Sequence, residues 1–346
     1  MGKWYDEEGA DTSVVAASRI RLHRSLAGYR FPDRMAEEEL RRLNDELADT
    51  ASGVVSRMSL TADRFALETL SSRARQALQE RHLIGSGMIE CASPAQMVLT
   101  KDESIAFLFG GDDHLRLQVS VSGKNLEGAW GRADRIDDAV NERFAYAFDD
   151  KYGYLTALPT HVGTGMRGYL ILHLPMLGRT KRFGSTVSEV SHFGIAVRNA
   201  FGPEEENYGD VYVIYNQQTL GQSEDEYLEL VNKVGTELAA QEVRLREAEM
   251  SKRRARWEDA VWRAYGTLRY ARSLSLKESL ELISRVRLGE CLGILSPEKT
   301  VSILPLMQGC LPATLCTVNH REAGEEELAR LRAAFLRREF PAVTGE

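Results

Sequence analysis

The chain has 346 residues, 43% of them hydrophobic and 27% charged, and a formal net charge of −7. That balance suits a globular protein with one large core or two domains, and it argues against a nucleic-acid binder that works through overall charge, since phosphate contacts need concentrated Lys and Arg. No run of about 18 apolar residues could span a bilayer, and the opening MGKWYDEEGADTS has neither the apolar segment nor the basic flank of a secretory signal, so a cytoplasmic location is expected.

In chain order, residues 34 to 81 read as two helices, with MAEEELRRLNDELADTASG carrying apolar positions at helical spacing behind an acidic first turn. MVLT, IAFLFG and LRLQVSVSG then alternate apolar and polar residues and end at Gly110, Gly111 and Gly123, as antiparallel strands joined by turns would. DRIDDAVNERFAYAFDDKYG reads as a helix with a Gly stop, TALPTHVGTG as a loop, RGYLILHLPML as an apolar helix or strand, and DVYVIYNQQTL as a strand. From Ser223 the pattern turns helical, with Ser223 and Glu226 placed as a capping box before a run to about Arg272. The expected architecture is α+β: an antiparallel sheet flanked by helices over residues 1–222 and a helical C-terminal domain over 223–346.

Common catalytic signatures are missing. There is no GxxxxGK[ST], HExxH, GxSxG or kinase HRD/DFG set. Cys91, Cys291, Cys310 and Cys316 form no CxxC pair, which fits buried free thiols in a reducing compartment, and the seven histidines show no ligand pairs at helical spacing. No metal held directly by protein ligands is expected. What stands out is a set of arginines in four short stretches: Arg19 and Arg21 in SRIRLHR, Arg116 in DDHLRLQ, Arg167 in GTGMRG and Arg198 in GIAVRNAFG. Arginine presents a rigid fork of donors and keeps its charge, so a converging set suits the oxygens of a polyphosphate.

SRIRLHRSL, GGDDHLRLQ, YLTALPTHVGTGMRGYLILHLP, AVRNAFG and NQQTLGQSEDEYLELV occur in the order and approximate spacing of the guanidino phosphotransferase family, which the chain resembles, with the bacterial protein-arginine kinases as the nearest likeness. ERHLI, WRAYGTLRYARSLSLKESLELISRVRLGECLGI and RLRAAFLRREF extend the resemblance over nearly the whole chain. It implies the guanidino kinase fold, with ATP and Mg²⁺ as cofactors. It also implies that Ser18, Arg19, Arg21, His82, Arg116, Arg167 and Arg198 bind the nucleotide. Phosphoryl transfer is mostly positioning and charge neutralisation, which arginines and Mg²⁺ supply.

The acceptor side departs from the family. Where Asn-Glu-Glu-Asp-His is usual, this chain has Gly110-Gly111-Asp112-Asp113-His114; in the Cys-Pro-Thr-Asn loop it has Leu158-Pro159-Thr160-His161; and after Arg198 the usual Gly-Glu is Gly202-Pro203, with Glu204 next. Asp112 and Glu204 are the candidate catalytic carboxylates. The C-terminal Arg-Asp-x-x-Arg-Ala motif of protein-arginine kinases reads Leu328-Ala329-Arg330-Leu331-Arg332-Ala333, which as a sequence fits an amphipathic packing helix.

Two readings remain open at this point. One is an ATP-dependent kinase of arginine side chains in proteins, whose partners by resemblance are a protein substrate with an exposed arginine, an activator protein, a repressor or a protease adaptor, and a second copy in a homodimer, with neither nucleic acid nor membrane. The other is a catalytically impaired ATP-binding relative, a pseudokinase acting as regulator or scaffold in protein quality control or the stress response.

Overall fold

The computed structural model describes residues 3–5, 9, 13–90 and 93–343. Its centre is an antiparallel sheet. The elements in chain order are β1 (Val15–Arg24), α1 (Glu37–Arg57), β2 (Ala62–Ala66), α2 (Ser72–Glu80), β3 (Gln96–Thr100), β4 (Ile105–Phe109), β5 (Leu115–Ser122) and α3 (Leu126–Asn141). Then come β6 (Phe148–Asp149), β7 (Gly153–Tyr154), β8 (Met166–His173), α4 (Phe183–His192), β9 (Ile195–Asn199) and β10 (Val211–Asn216). A helical part follows: α5 (Glu224–Tyr270), α6 (Leu276–Cys291), α7 (Ile303–Gly309), α8 (Pro312–Val318) and α9 (Glu325–Glu339). Eight strands form the main sheet in the order β2-β3-β4-β5-β1-β8-β10-β9, and β6 with β7 makes a separate hairpin.

The period of two along each strand divides the sheet into two unlike faces. On one face, Ile20 and Leu22 of β1, Phe107 and Phe109 of β4, Leu115, Leu117 and Val119 of β5, and Leu170 and Leu172 of β8 form a continuous apolar layer. Residues of α1, α3 and the first half of α5 cover it, among them Leu47, Ala133 and Val231. Each fully buried Leu, Ile or Phe there contributes about 1.5–3 kcal/mol. The opposite face is broken in two. Met97, Leu99, Ala106 and Leu108 meet Leu78 and Leu83 at one side, while Ala17, Ile171 and Val211 meet Val261, Leu280 and Met307 of the helical part at the other. The polar ground between these clusters holds the arginines.

Several local expectations are corrected. Between the two helices of residues 34–81 lies a strand, β2, whose ADRFA pairs with β3 at the sheet edge. The helix expected from Asp134 to Gly153 begins earlier, at Leu126, where the Asn125 side chain caps Gly128, and it stops at Asn141. The remainder, FAYAFDDKYG, turns into the β6–β7 hairpin around Gly153, whose φ of 73° suits glycine. RGYLILHLPML resolves into strand β8.

The helix beginning at Ser223 has the expected capping box, since Ser223 Oγ accepts from the Glu226 amide and Glu226 Oε2 accepts from the Ser223 amide. It runs to Tyr270 with a break at Arg253, where φ and ψ are −142° and 33°. Tyr227, Leu228, Val231 and Leu238 before the break belong to the first core, and Val261, Ala264, Tyr265 and Leu268 after it belong to the second. Cys310 and Cys316 are buried thiols, Cys291 is half-buried, and Cys91 lies outside the described residues.

Candidate active site

Strand register gathers the arginines. Arg19 of β1 faces Tyr169 of β8 and Ser120 of β5; Arg21 faces Arg167 on one side and Gln118 on the other; His23 faces Arg116. Directly opposed residues share a face, so the odd positions of β1 and β8 and the even positions of β5 project together. Arg24, at an even position, points the other way and pairs with Asp137 at 2.8 Å beneath the Tyr154 ring. One sequence stretch therefore supplies both site arginines and a core ion pair.

Arg19, Arg21, Arg116, Arg167 and Arg198 line one cavity of about 410 Å³ with His82, Asp112, His23 and His161. Tyr169 and Tyr215 also line it, and Leu304 and Gln308 of α7 reach it from the helical part. Among the described residues no carboxylate forms an ion pair with any of the five arginines. Neutral groups hold them instead. Arg19 Nε donates to Ser120 Oγ at 3.1 Å, Arg21 Nε to Gln118 Oε1 at 2.7 Å, and Arg21 Nη2 to the His82 carbonyl at 2.6 Å. Arg116 donates to the Leu83 carbonyl, and Arg21 lies over the Tyr169 ring while Arg167 and Arg198 lie over Tyr215. The buried Nε groups of Arg116 and Arg167 have no protein acceptor.

Five guanidiniums fixed by neutral partners leave a concentrated positive field and free donors, the arrangement that an anion with many oxygens satisfies. Burial, reinforced by Arg21, pulls Arg19 and Arg116 down to about 9. Both remain charged at neutral pH. Burial and the cations Arg19 and Arg21 push the His82 imidazole down to about 3, so it faces the cavity neutral.

The candidate residues separate in space. Asp112, exposed in the β4–β5 turn, is the one carboxylate among the described residues lining the cavity. Glu204 is exposed on the turn after β9 and borders an adjoining cavity that shares Arg198 and Asn199 with the first. Ser18 lies at an even position of β1, fully buried away from the cavity; its hydroxyl donates to the Gly123 carbonyl and accepts from the Asn125 amide. Leu158 is exposed just before a 3-10 turn over Pro159–His161.

The β4–β5 turn explains part of the altered acceptor motif. Gly110 has a φ of +68°, and a Cβ there would lie 2.5 Å from Asn44 Nδ2, so a side chain would be strained and would have to displace Asn44. Gly111 lacks both restrictions, since its added Cβ would meet nothing nearer than 3.6 Å. Arg332, in the altered C-terminal motif, is fully buried and donates to the carbonyls of Cys310 and Leu274, which ties α9 to α7 and to the start of α6.

Sequence reasoning missed the roles of His23, Tyr169 and Tyr215. The available signal was the i, i+2 spacing of Arg19, Arg21 and His23 and of Arg167 and Tyr169, which places each set on one face of a strand.

An antiparallel sheet that lifts an arginine cluster onto one face defines a phosphate-handling class, and comparison with known proteins gives the family. Residues 45–245 match the model of the ATP:guanido phosphotransferase C-terminal catalytic domain, and the chain belongs to that family. Residues 254–346 match the protein-arginine kinase McsB C-terminal domain, so the two matched stretches meet near the break in α5. Named relatives narrow the likeness. A protein-arginine kinase of Caldanaerobacter subterraneus subsp. tengcongensis is 38% identical over 83% of this chain and 85% of the relative. Another, of Pelotomaculum thermopropionicum, is 34% identical over 97% of this chain and 95% of the relative. Among solved structures, lombricine kinase shares the fold with a TM-score of 0.58 at 20% identity, over 71% of this chain and 70% of that one.

Proposed function

We propose that this protein transfers the γ-phosphoryl group of ATP to the guanidino group of arginine side chains in proteins. The observation that carries the reading is the set of five arginines on one sheet face without a carboxylate partner among the described residues. Supporting it, relatives that match most of the chain are protein-arginine kinases, which favours catalysis over the pseudokinase reading.

In the reaction the bond from Pγ to the bridging oxygen breaks and a P–N bond forms to a guanidino nitrogen, giving ADP, phosphoarginine and one proton. Arg19, Arg21, Arg116, Arg167 and Arg198 would hold the phosphate oxygens in line with the incoming nitrogen, and Ser18 would act indirectly by fixing the turn after β5. Mg²⁺ bound to the phosphates would neutralise charge that develops on the leaving group. Asp112 orients the guanidinium and accepts its proton, because no other carboxylate among the described residues lines the cavity. Glu204 is the second carboxylate once its turn moves toward Arg198. A protein substrate follows from this acceptor, and the same reading includes a cytoplasmic setting, a homodimer and activator, repressor or adaptor partners.

Incubation with Mg-ATP and an arginine-rich acceptor protein, followed by phosphorus NMR, tests this. The expected product is an acid-labile P–N resonance that grows with ADP. ATP binding without such a product on any arginine-containing acceptor would overturn the kinase reading.

A further inference from the structure

His23, Asp113 and His161 come together at the edge of the arginine cavity from three separate parts of the chain: β1, the β4–β5 turn and the 3-10 turn before β8. Each offers one ligand atom, and the three atoms lie within 4.8 Å of one another. The imidazoles are stacked, with centroids 3.8 Å apart and planes at 25°, and His23 Nδ1 is 3.5 Å from Asp113 Oδ2.

All three residues are more than nine-tenths buried. Asp113 Oδ1 is fully used, accepting from Ser25 Oγ at 2.8 Å and from the Ala157 amide at 2.7 Å. His161 Nδ1, by contrast, is buried with no hydrogen-bond partner, and Asp113 Oδ2 has only the long contact to His23 Nδ1. Buried polar atoms left without full hydrogen bonding are costly, so a weakly satisfied carboxylate oxygen and an unpartnered imidazole nitrogen in one cluster ask for an occupant.

We infer that His23, Asp113 and His161 form a binding site for a borderline divalent transition-metal ion of the Zn²⁺ class. Two imidazole nitrogens and one carboxylate oxygen are the donor set such ions take, and hard Mg²⁺ or Ca²⁺ would prefer oxygens alone. Nearly parallel rings hold their nitrogen lone pairs side by side, so ligation requires one imidazole to turn out of the stack toward Asp113. Asp113 stands behind the two histidines, which themselves line the cavity, so the ion's open position faces Arg21, Arg116 and Arg167. An anion in the cavity would complete its coordination. The ion would also clamp the Pro159–His161 turn to the sheet. This site is independent of whether the protein is a kinase.

Co²⁺ is the probe. Metal-free protein titrated with Co²⁺ should take up one ion with the intense visible absorption of four-coordinate cobalt and no sulfur charge-transfer band; Zn²⁺ should displace it, and inorganic phosphate should shift its spectrum. His161→Gln and, separately, His23→Gln should lower affinity at least about a hundredfold, while their circular dichroism and chelator-treated melting stay close to those of the parent. Absence of Co²⁺ uptake by the parent, or equal affinity in the parent and both folded variants, would overturn the site. An unchanged spectrum on adding phosphate would overturn its opening toward the cavity.

Discussion

At the residue scale, side-chain length and charge decide the chemistry. Each bidentate arginine–phosphate contact is charge-assisted, worth about 1.5–3 kcal/mol, so Arg116→Ala or Arg167→Ala should weaken Mg-ATP binding about tenfold or more in titration calorimetry. Equal affinity in parent and variants would remove the arginines from the nucleotide site. Asp112 is shorter than glutamate by one methylene, and a shift of about 1 Å can cost roughly a hundredfold. Asp112→Asn should therefore abolish phosphoarginine formation, while Asp112→Glu, alone or with Gly111→Glu, Pro203→Glu and Leu158→Cys, should raise it above the parent. A Cβ at Gly111 would meet only ordinary contacts, whereas one at Gly110 would crowd Asn44 on a left-handed backbone.

The buried histidines also give the protein a pH dependence of defined sign. Burial holds His23 down to about 4 and His161 down to about 3, with neighbouring arginines opposing protonation of both. The unfolded chain protonates near 6.5, so it binds more protons than the fold between about 6.5 and those values. The contribution is fully present above the unfolded value and is lost as pH falls through the folded ones. Urea midpoints of chelator-treated protein at pH 7.5, 5.5 and 4.5 should fall in that order, and His23→Gln should flatten the fall.

At the element scale, α5 is the piece on which both cores depend. Its capping box satisfies donors at the N-terminus, and removing such a cap costs about 0.5–2 kcal/mol. Ser223→Ala should therefore lower the urea midpoint without changing its slope, and an unchanged midpoint would show that the cap is dispensable. The apolar pattern made this helix plain in the sequence, because 3.6-residue periodicity and a Ser-x-x-Glu start are local signals. β2 was hidden for the opposite reason. ADRFA is short, carries exposed Asp63 and Arg64 at the sheet edge, and only its pairing with β3 makes it a strand.

For the whole molecule, the helical part is a wall of the sheet as well as a neighbour. Ile171 and Val211 of the sheet pack into the cluster of α6 and α7, and α7 reaches the arginine cavity through Leu304 and Gln308. A chain ending at residue 222 would lose Tyr227, Leu228, Val231 and Leu238 from one face and every member of the second cluster from Val261 onward from the other. It should lack near-ultraviolet dichroism and cooperative unfolding; a cooperative transition in that fragment would show the sheet to be self-sufficient.

Sequence order, motif content and strand alternation determined the family likeness, the antiparallel sheet, the helical C-terminal part and the five arginines, since each is written in local pattern or spacing. Only the tertiary structure decided which face those arginines share, that Ser18 and Arg24 turn away from it, and that Glu204 borders an adjoining cavity while Asp112 lines the arginine cavity itself. It alone brought His23, Asp113 and His161 together. Register between strands distant in sequence sets these relations, and a single residue of slip would send every side chain to the opposite face.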